Sequence, residues 1–147
     1  MIVMTDVAAG AAGTAGSPTF CPTLQYRDAK AAVKQLTEAF GFTRSALYES
    51  EDGTVLHAEL SFGNGVVMLG SKSVGGAYQE ALGDGGPVGV YVTVADPDAH
   101  HRRAEQAGVE IALPLTDQDY GSRDYTARDL EGNLWTFGTY APAVPKA

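Results

Sequence analysis

A chain of 147 residues is long enough for one domain with a proper core and too short for two ordinary ones. Against 10 Lys and Arg stand 18 Asp and Glu, a net charge of −8 that repels phosphate backbones and anionic lipid, so neither nucleic acid nor a membrane surface is expected as a partner. The single cysteine, Cys21, excludes an internal disulfide and a cysteine zinc cluster, and no apolar run approaches the roughly 20 residues that span a bilayer.

Residues 1–18 (MIVMTDVAAGAAGTAGSP) carry no basic segment ahead of a short apolar start, so they read poorly as a signal peptide and are expected to be an unstructured tail on a cytoplasmic protein. The ordered domain is expected over 19–141. CPTLQYRD reads as a strand, and Asp28 can cap the helix AKAAVKQLTEAFGF. In that helix Ala32, Leu36, Ala39 and Phe40 fall on one face, and Gly41 supplies the stop. TRSALYES, TVLHAELSF and GVVMLGS are strands, the last two joined by the tight turn Gly63-Asn64-Gly65. The glycine-rich connection 73–87 reads as a linker with a short helical turn at Ala77–Leu82, or else as a flap over a binding site.

From residue 88 the order repeats. GVYVTV is a strand, Asp96-Pro97-Asp98 opens a helix that Gly108 ends, and VEIALPL, RDYTARD and NLWTFGTY are strands. The helix-ending glycines stand 67 residues apart, and the strand-ending Gly70 and Gly138 stand 68 apart. A shared offset across several landmarks indicates an internal duplication, with module 1 at 20–72 and module 2 at 88–141. The fold class is therefore α+β, two tandem βαβββ modules.

Alternation assigns faces. In HAELSF, Ala58, Leu60 and Phe62 share one side and His57, Glu59 and Ser61 the other, while Cys21, Thr23 and Gln25 share a side of the first strand. A histidine with a carboxylate two residues on is a candidate general base, so His57 and Glu59 are the candidate catalytic pair. Arg123 and Asp124 lie beside the second hairpin, where an arginine suits a ligand carboxylate or carbonyl, or simply pairs with neighbouring charges. Tyr91 and Tyr125 are candidate pocket-lining phenols, whereas Trp135 and Phe137 fall opposite Thr136 and belong to the core. His100 and His101 are adjacent on a charged helix, point about 100° apart, and read as a solvated face.

AFGF (39–42), HAELSFGNGVVML (57–69) and ARDLEGNLWTFG (127–138) resemble the vicinal-oxygen-chelate superfamily, which includes glyoxalase I, extradiol dioxygenases, fosfomycin-resistance enzymes and bleomycin-binding proteins. In the last segment Leu130 stands where the family's DP-(E/D)-GN pattern has proline. The resemblance implies that the modules form a curved mixed sheet, a cup with helices on its convex face, within one chain or across a homodimer. It places the family's four metal-ligand positions at Cys21, Met68, Gly89 and Thr136, none of which is a histidine or carboxylate. No metal and no cofactor are therefore expected. The expected partners are a small-molecule ligand and a second copy of the chain. Cys21, Thr23, Gln25, Met68, Tyr91, Arg123, Tyr125 and Thr136 are the candidate ligand-binding residues. The expected function is binding of a small organic molecule, as in sequestration of an antibiotic or metabolite. The alternative is a lyase, isomerase or dioxygenase with an atypical metal site.

Overall fold

A computed structural model describes residues 2–7 and 18–145. The chain divides into two compact units, Met1–Gly86 and Pro87–Ala147. Each contains a helix and three strands that follow it, preceded by one more strand, so the βαβββ order appears twice.

In the first unit the repeat consists of β2 (Thr23–Tyr26), α1 (Ala29–Glu38), β3 (Thr43–Ser50), β4 (Val55–Phe62) and β5 (Gly65–Ser71). A 3-10 turn at Lys72–Val74 and the short helix α2 (Ala77–Leu82) follow, the latter at the position where the sequence pattern places a helical turn. Strand β1 (Ile2–Val7) joins as well, running antiparallel to β3. The first sheet thus has five strands in the order β1-β3-β4-β5-β2, with β2 parallel to β5. The expectation of an unstructured tail over 1–18 gives way at Ile2–Val7, where a run containing three β-branched apolar residues and a Thr meets an open strand edge. Residues 1 and 8–17 of that tail lie outside the described residues.

The second unit holds β6 (Gly89–Thr93), α3 (Pro97–Gln106), β7 (Glu110–Asp117), β8 (Arg123–Arg128) and β9 (Leu134–Gly138). Its sheet runs β6-β9-β8-β7, with β6 parallel to β9. β7 is an edge strand, contains Pro114, and changes register against β8 twice, between Ile111 and Leu113 and again between Leu113 and Thr116.

The two helices begin and end alike. Asp28 accepts a hydrogen bond from Ala31 N at 3.0 Å, and Asp96 accepts one from Ala99 N at 3.0 Å. Each carboxylate satisfies a first-turn amide that the helix itself leaves unpaired. Gly41 (φ 80°) and Gly108 (φ 78°) then leave the helices through left-handed backbone, a conformation costly for any residue with a Cβ.

Each helix covers one face of its own sheet. Ala32, Leu36, Ala39 and Phe40 are buried, as their spacing predicts, against Tyr26, Ala58, Leu60 and Leu69. In the second unit Ala104 of α3 is fully buried, with Tyr125, Ala127, Trp135 and Phe137 forming the sheet side of that core. The alternate residues of the strands therefore make up the opposite face of each sheet.

Candidate functional site

The opposite face of the first sheet is where most of the predicted module 1 residues meet. Thr23 and Gln25 of β2 pair with Met68 and Gly70 of β5, and Glu59 of β4 pairs with Met68 from the other side. Registered partners point the same way, so these side chains share one surface. A cavity of about 220 Å³ opens on it, lined by Thr23, Gln25, Leu56, His57, Met68, Leu69, Gly70 and Tyr78. Leu56 enters through a bulge: Tyr48 pairs with His57 and Glu49 with Val55, which leaves Leu56 unpaired in the register. Gly70 keeps the floor thin, since a Cβ there would lie 2.9 Å from the Leu56 carbonyl oxygen and 3.8 Å from Gln25 Oε1.

His57 and Glu59, the expected pair, do meet. Nε2 of His57 lies 2.9 Å from Oε2 of Glu59, with both side chains about two-fifths exposed. Tyr48 flanks the imidazole at a ring-centroid distance of 6.0 Å. The carboxylate orients the ring and favours a proton on the nitrogen facing it.

Tyr78 is the residue that sequence reasoning missed. It projects from α2, and its hydroxyl shares a 2.8 Å hydrogen bond with the Thr23 hydroxyl across 55 residues of chain. The connection 73–87 therefore contributes a wall of the cavity. An amphipathic aromatic inside an otherwise glycine-rich linker was the available signal. Cys21 precedes β2, is partly exposed, and is not among the cavity's lining residues.

A larger groove, of about 720 Å³, runs along the helix side between α1 and β3. Its floor is core side chains such as Phe42 and Leu47, and it contains none of the candidate residues.

The module 2 candidates do not gather in the same way. Tyr91, Thr136 and Thr126 are register partners on the open face, where the Thr126 and Thr136 hydroxyls share a hydrogen bond at 2.8 Å. Tyr125 is a correction. Parity turns it beneath α3, where it is fully buried and its hydroxyl lies 2.6 Å from His100 Nδ1, so it lines no open pocket. Burial raises its phenol above the usual range. His100 is corrected with it: rather than facing solvent, its ring lies 4.0 Å from that of Phe137, and His101 meets Tyr125 edge-on at 4.9 Å. Arg123 shares the parity of Tyr125. Its Nε donates to Asp98 at 2.7 Å and its Nη1 to Asp117 at 3.2 Å, so neighbouring charges take up the guanidinium proposed as a ligand clamp.

Residues 20–137 match the model of the Glyoxalase/Bleomycin resistance protein/Dioxygenase superfamily. The chain belongs to this superfamily. It is 32% identical over 125 residues to uncharacterized proteins of Mycobacterium bovis and Mycobacterium tuberculosis, covering 82% of this chain and 82% and 74% of theirs. Among solved structures it resembles TioX from Micromonospora sp. ML1, with 36% identity, a TM-score of 0.69, and coverage of 81% of this chain and 97% of that one. A superfamily member from Sphaerobacter thermophilus shares the fold at 17% identity and TM-score 0.63, over 82% of this chain and 97% of that one.

Metal-dependent members of the superfamily hold an ion with histidine and carboxylate side chains, and the residues here do not fit that chemistry. The resemblance sets Cys21, Met68, Gly89 and Thr136 at the corresponding positions, and none of these carries an imidazole or a carboxylate. Among the described residues no three His, Cys, Asp or Glu side chains are grouped so as to hold a metal ion. The turn Asp129-Leu130-Glu131-Gly132-Asn133, by contrast, keeps all but the proline of the superfamily pattern and is structural. Asp129 is buried, and its carboxylate accepts hydrogen bonds from Glu131 N (2.9 Å), Asn133 N (3.0 Å), Asn133 Nδ2 (3.1 Å) and Trp135 Nε1 (3.0 Å). Asn133 Oδ1 in turn accepts from Val88 N at 3.1 Å and so ties the turn to the start of β6.

Proposed function

We propose that the protein binds a small, uncharged organic molecule in the module 1 cavity, and so sequesters an antibiotic or metabolite. The observation that carries this reading is the convergence of β2, β4, β5 and α2 on one concave site. Its lining offers hydroxyl, amide and imidazole groups from Thr23, Gln25, His57 and Tyr78 beside apolar Leu56, Met68 and Leu69. Such a mixture of apolar wall and few polar groups is what orients a small ligand. Its lining residues include neither Lys or Arg to hold an anion nor Asp or Glu to hold a cation, which makes uncharged molecules the matching class. For scale, an apolar cavity of about 150 Å³ takes up benzene, so the site suits one ring or one ring-sized part of a larger molecule. A homodimeric, cytoplasmic protein belongs to the same proposal.

The test is a thermal-shift screen of uncharged ring amides and heteroaromatics followed by calorimetry, since a ligand that binds only the folded state must raise the apparent stability. A hit should lose about tenfold in affinity, or about 1.4 kcal/mol, in both His57→Ala and Tyr78→Phe. Hits that bind both variants unchanged would sink the assignment.

A second reading rests on the 2.9 Å contact between His57 and Glu59. An imidazole oriented by a carboxylate can remove a proton from a carbon beside a carbonyl, which is lyase or isomerase chemistry. His57-dependent exchange of a bound ligand's C–H with D2O, followed by NMR, would support catalysis over storage. Its absence with a ligand in place would leave binding alone.

A further inference from the structure

Module 2 holds a cluster that the cavity of module 1 does not use. Three tyrosines are exposed together, Tyr91 at 39%, Tyr120 at 65% and Tyr140 at 51%. The rings of Tyr91 and Tyr140 lie 6.4 Å apart at 73°, and those of Tyr120 and Tyr140 lie 6.1 Å apart at 88°. Two successive edge-to-face contacts make an open corner of phenol faces rather than a closed stack. Backbone contacts fix that corner before anything binds. The Tyr140 carbonyl accepts from the Thr93 hydroxyl at 2.9 Å and its amide donates to Ser122 Oγ at 3.1 Å, while Gln118 N donates to Ser122 O at 2.7 Å to close the loop that presents Tyr120. Gly138 makes room for Tyr91, since a Cβ there would come within 2.7 Å of both the Tyr91 hydroxyl and Asp124 Cβ.

Asp124 is the second observation. It is 8% exposed, and a buried carboxylate is costly unless a cation or several donors satisfy it. Its side-chain partners are neutral: the Gln118 amide donates at 3.0 Å, and the Tyr120 phenol lies against it, raised above its usual value by desolvation first and by Asp124 next. The adjacent arginine does not supply the charge, because Arg123 is engaged by Asp98 and Asp117. An acidic group backing a set of aromatic faces is the arrangement that attracts a weakly hydrated organic cation, through ring quadrupoles and Coulomb attraction together.

The geometry points to a binding site for the alkylammonium group of a small organic cation in the corner of Tyr91, Tyr120 and Tyr140 backed by Asp124. It shares no residue with the module 1 cavity, so either site stands if the other fails. The full chain is titrated by calorimetry with choline and, separately, with 3,3-dimethylbutan-1-ol, its uncharged carbon isostere. Choline is expected to bind about tenfold more tightly than the isostere and to lose most of that advantage in Tyr120→Leu. Tyr120 is the most exposed of the three, so this variant keeps the fold, and Tyr140→Leu gives an independent second measurement with far-UV circular dichroism as the fold check. Equal binding of choline and isostere, no binding of choline at millimolar concentration, or full retention of choline binding in both variants would overturn the assignment.

Discussion

At Asp129 a single carboxylate gathers two backbone amides, an asparagine side chain and the indole of the only tryptophan. Removing it strands several buried donors at once, which costs more than the bond energies it contributed. Asp129→Ala is expected to lower stability by about 2 kcal/mol in urea unfolding, while leaving binding at the module 1 cavity unchanged once folded. A different effect operates at Asp52, on the exposed turn between β3 and β4. Hydrogen bonds from the Ser50 hydroxyl and then from Thr54 N hold its carboxyl down at about 2. The depressed value means that the turn's support from this group is complete above the ordinary carboxylate range and fades as pH falls from about 3.8 towards 2. Carboxyl NMR titration should find Asp52 still ionised well below the ordinary aspartate value of 3.8, and Ser50→Ala should move its midpoint upward. Residue-scale chemistry was partly legible in the sequence. The parity that joins His57 to Glu59 follows from strand alternation, and the core positions of Trp135 and Phe137 follow from it once the superfamily resemblance puts Thr136 on the open face. Tyr125 did not, because the same alternation needed an anchor, and Ala127, buried with it, shows that the odd-numbered residues of β8 go beneath the helix.

Elements decide what the residues can reach. β4 carries a bulge at Leu56, which puts two consecutive side chains, Leu56 and His57, at the same cavity. No periodicity reveals such an irregularity, since a bulge is a local exception to the period itself. The helical turn at Ala77–Leu82 was readable, but its docking was not: the partner of Tyr78 is Thr23, on a strand far away in sequence. Gly70 shows the same dependence on a neighbouring element. Its lack of a side chain lets β5 lie close beneath the Leu56 carbonyl. Gly70→Ala is expected to cost about 1–3 kcal/mol through overpacking against backbone that cannot swing aside. Gly65→Ala, which meets only the Phe62 carbonyl at an ordinary 3.4 Å, should cost less. Chemical denaturation of the two variants side by side checks the contrast.

For the molecule as a whole, the duplication was the most legible property, because equal spacing between distant glycines and caps survives extensive change elsewhere. The superfamily match over 20–137 spans both copies. What the copies have lost is chemical likeness: one open face carries a His–Glu pair and a small cavity, the other a tyrosine corner over a buried aspartate. The copies also differ at their rims. In module 1 an additional strand, β1, covers the outer side of β3. Its counterpart in module 2, β7, has no such neighbour among the described residues and instead carries Pro114 and two register shifts. Pro114→Thr would restore a backbone donor to that rim and is expected to promote self-association, read as a concentration-dependent rise in light scattering at unchanged secondary structure. A gene copied in tandem can lend its leading segment to only one of the two products. The copy left without that escort must keep strangers from adhering by its own composition, and a ring that cannot donate a proton is an inexpensive sentry.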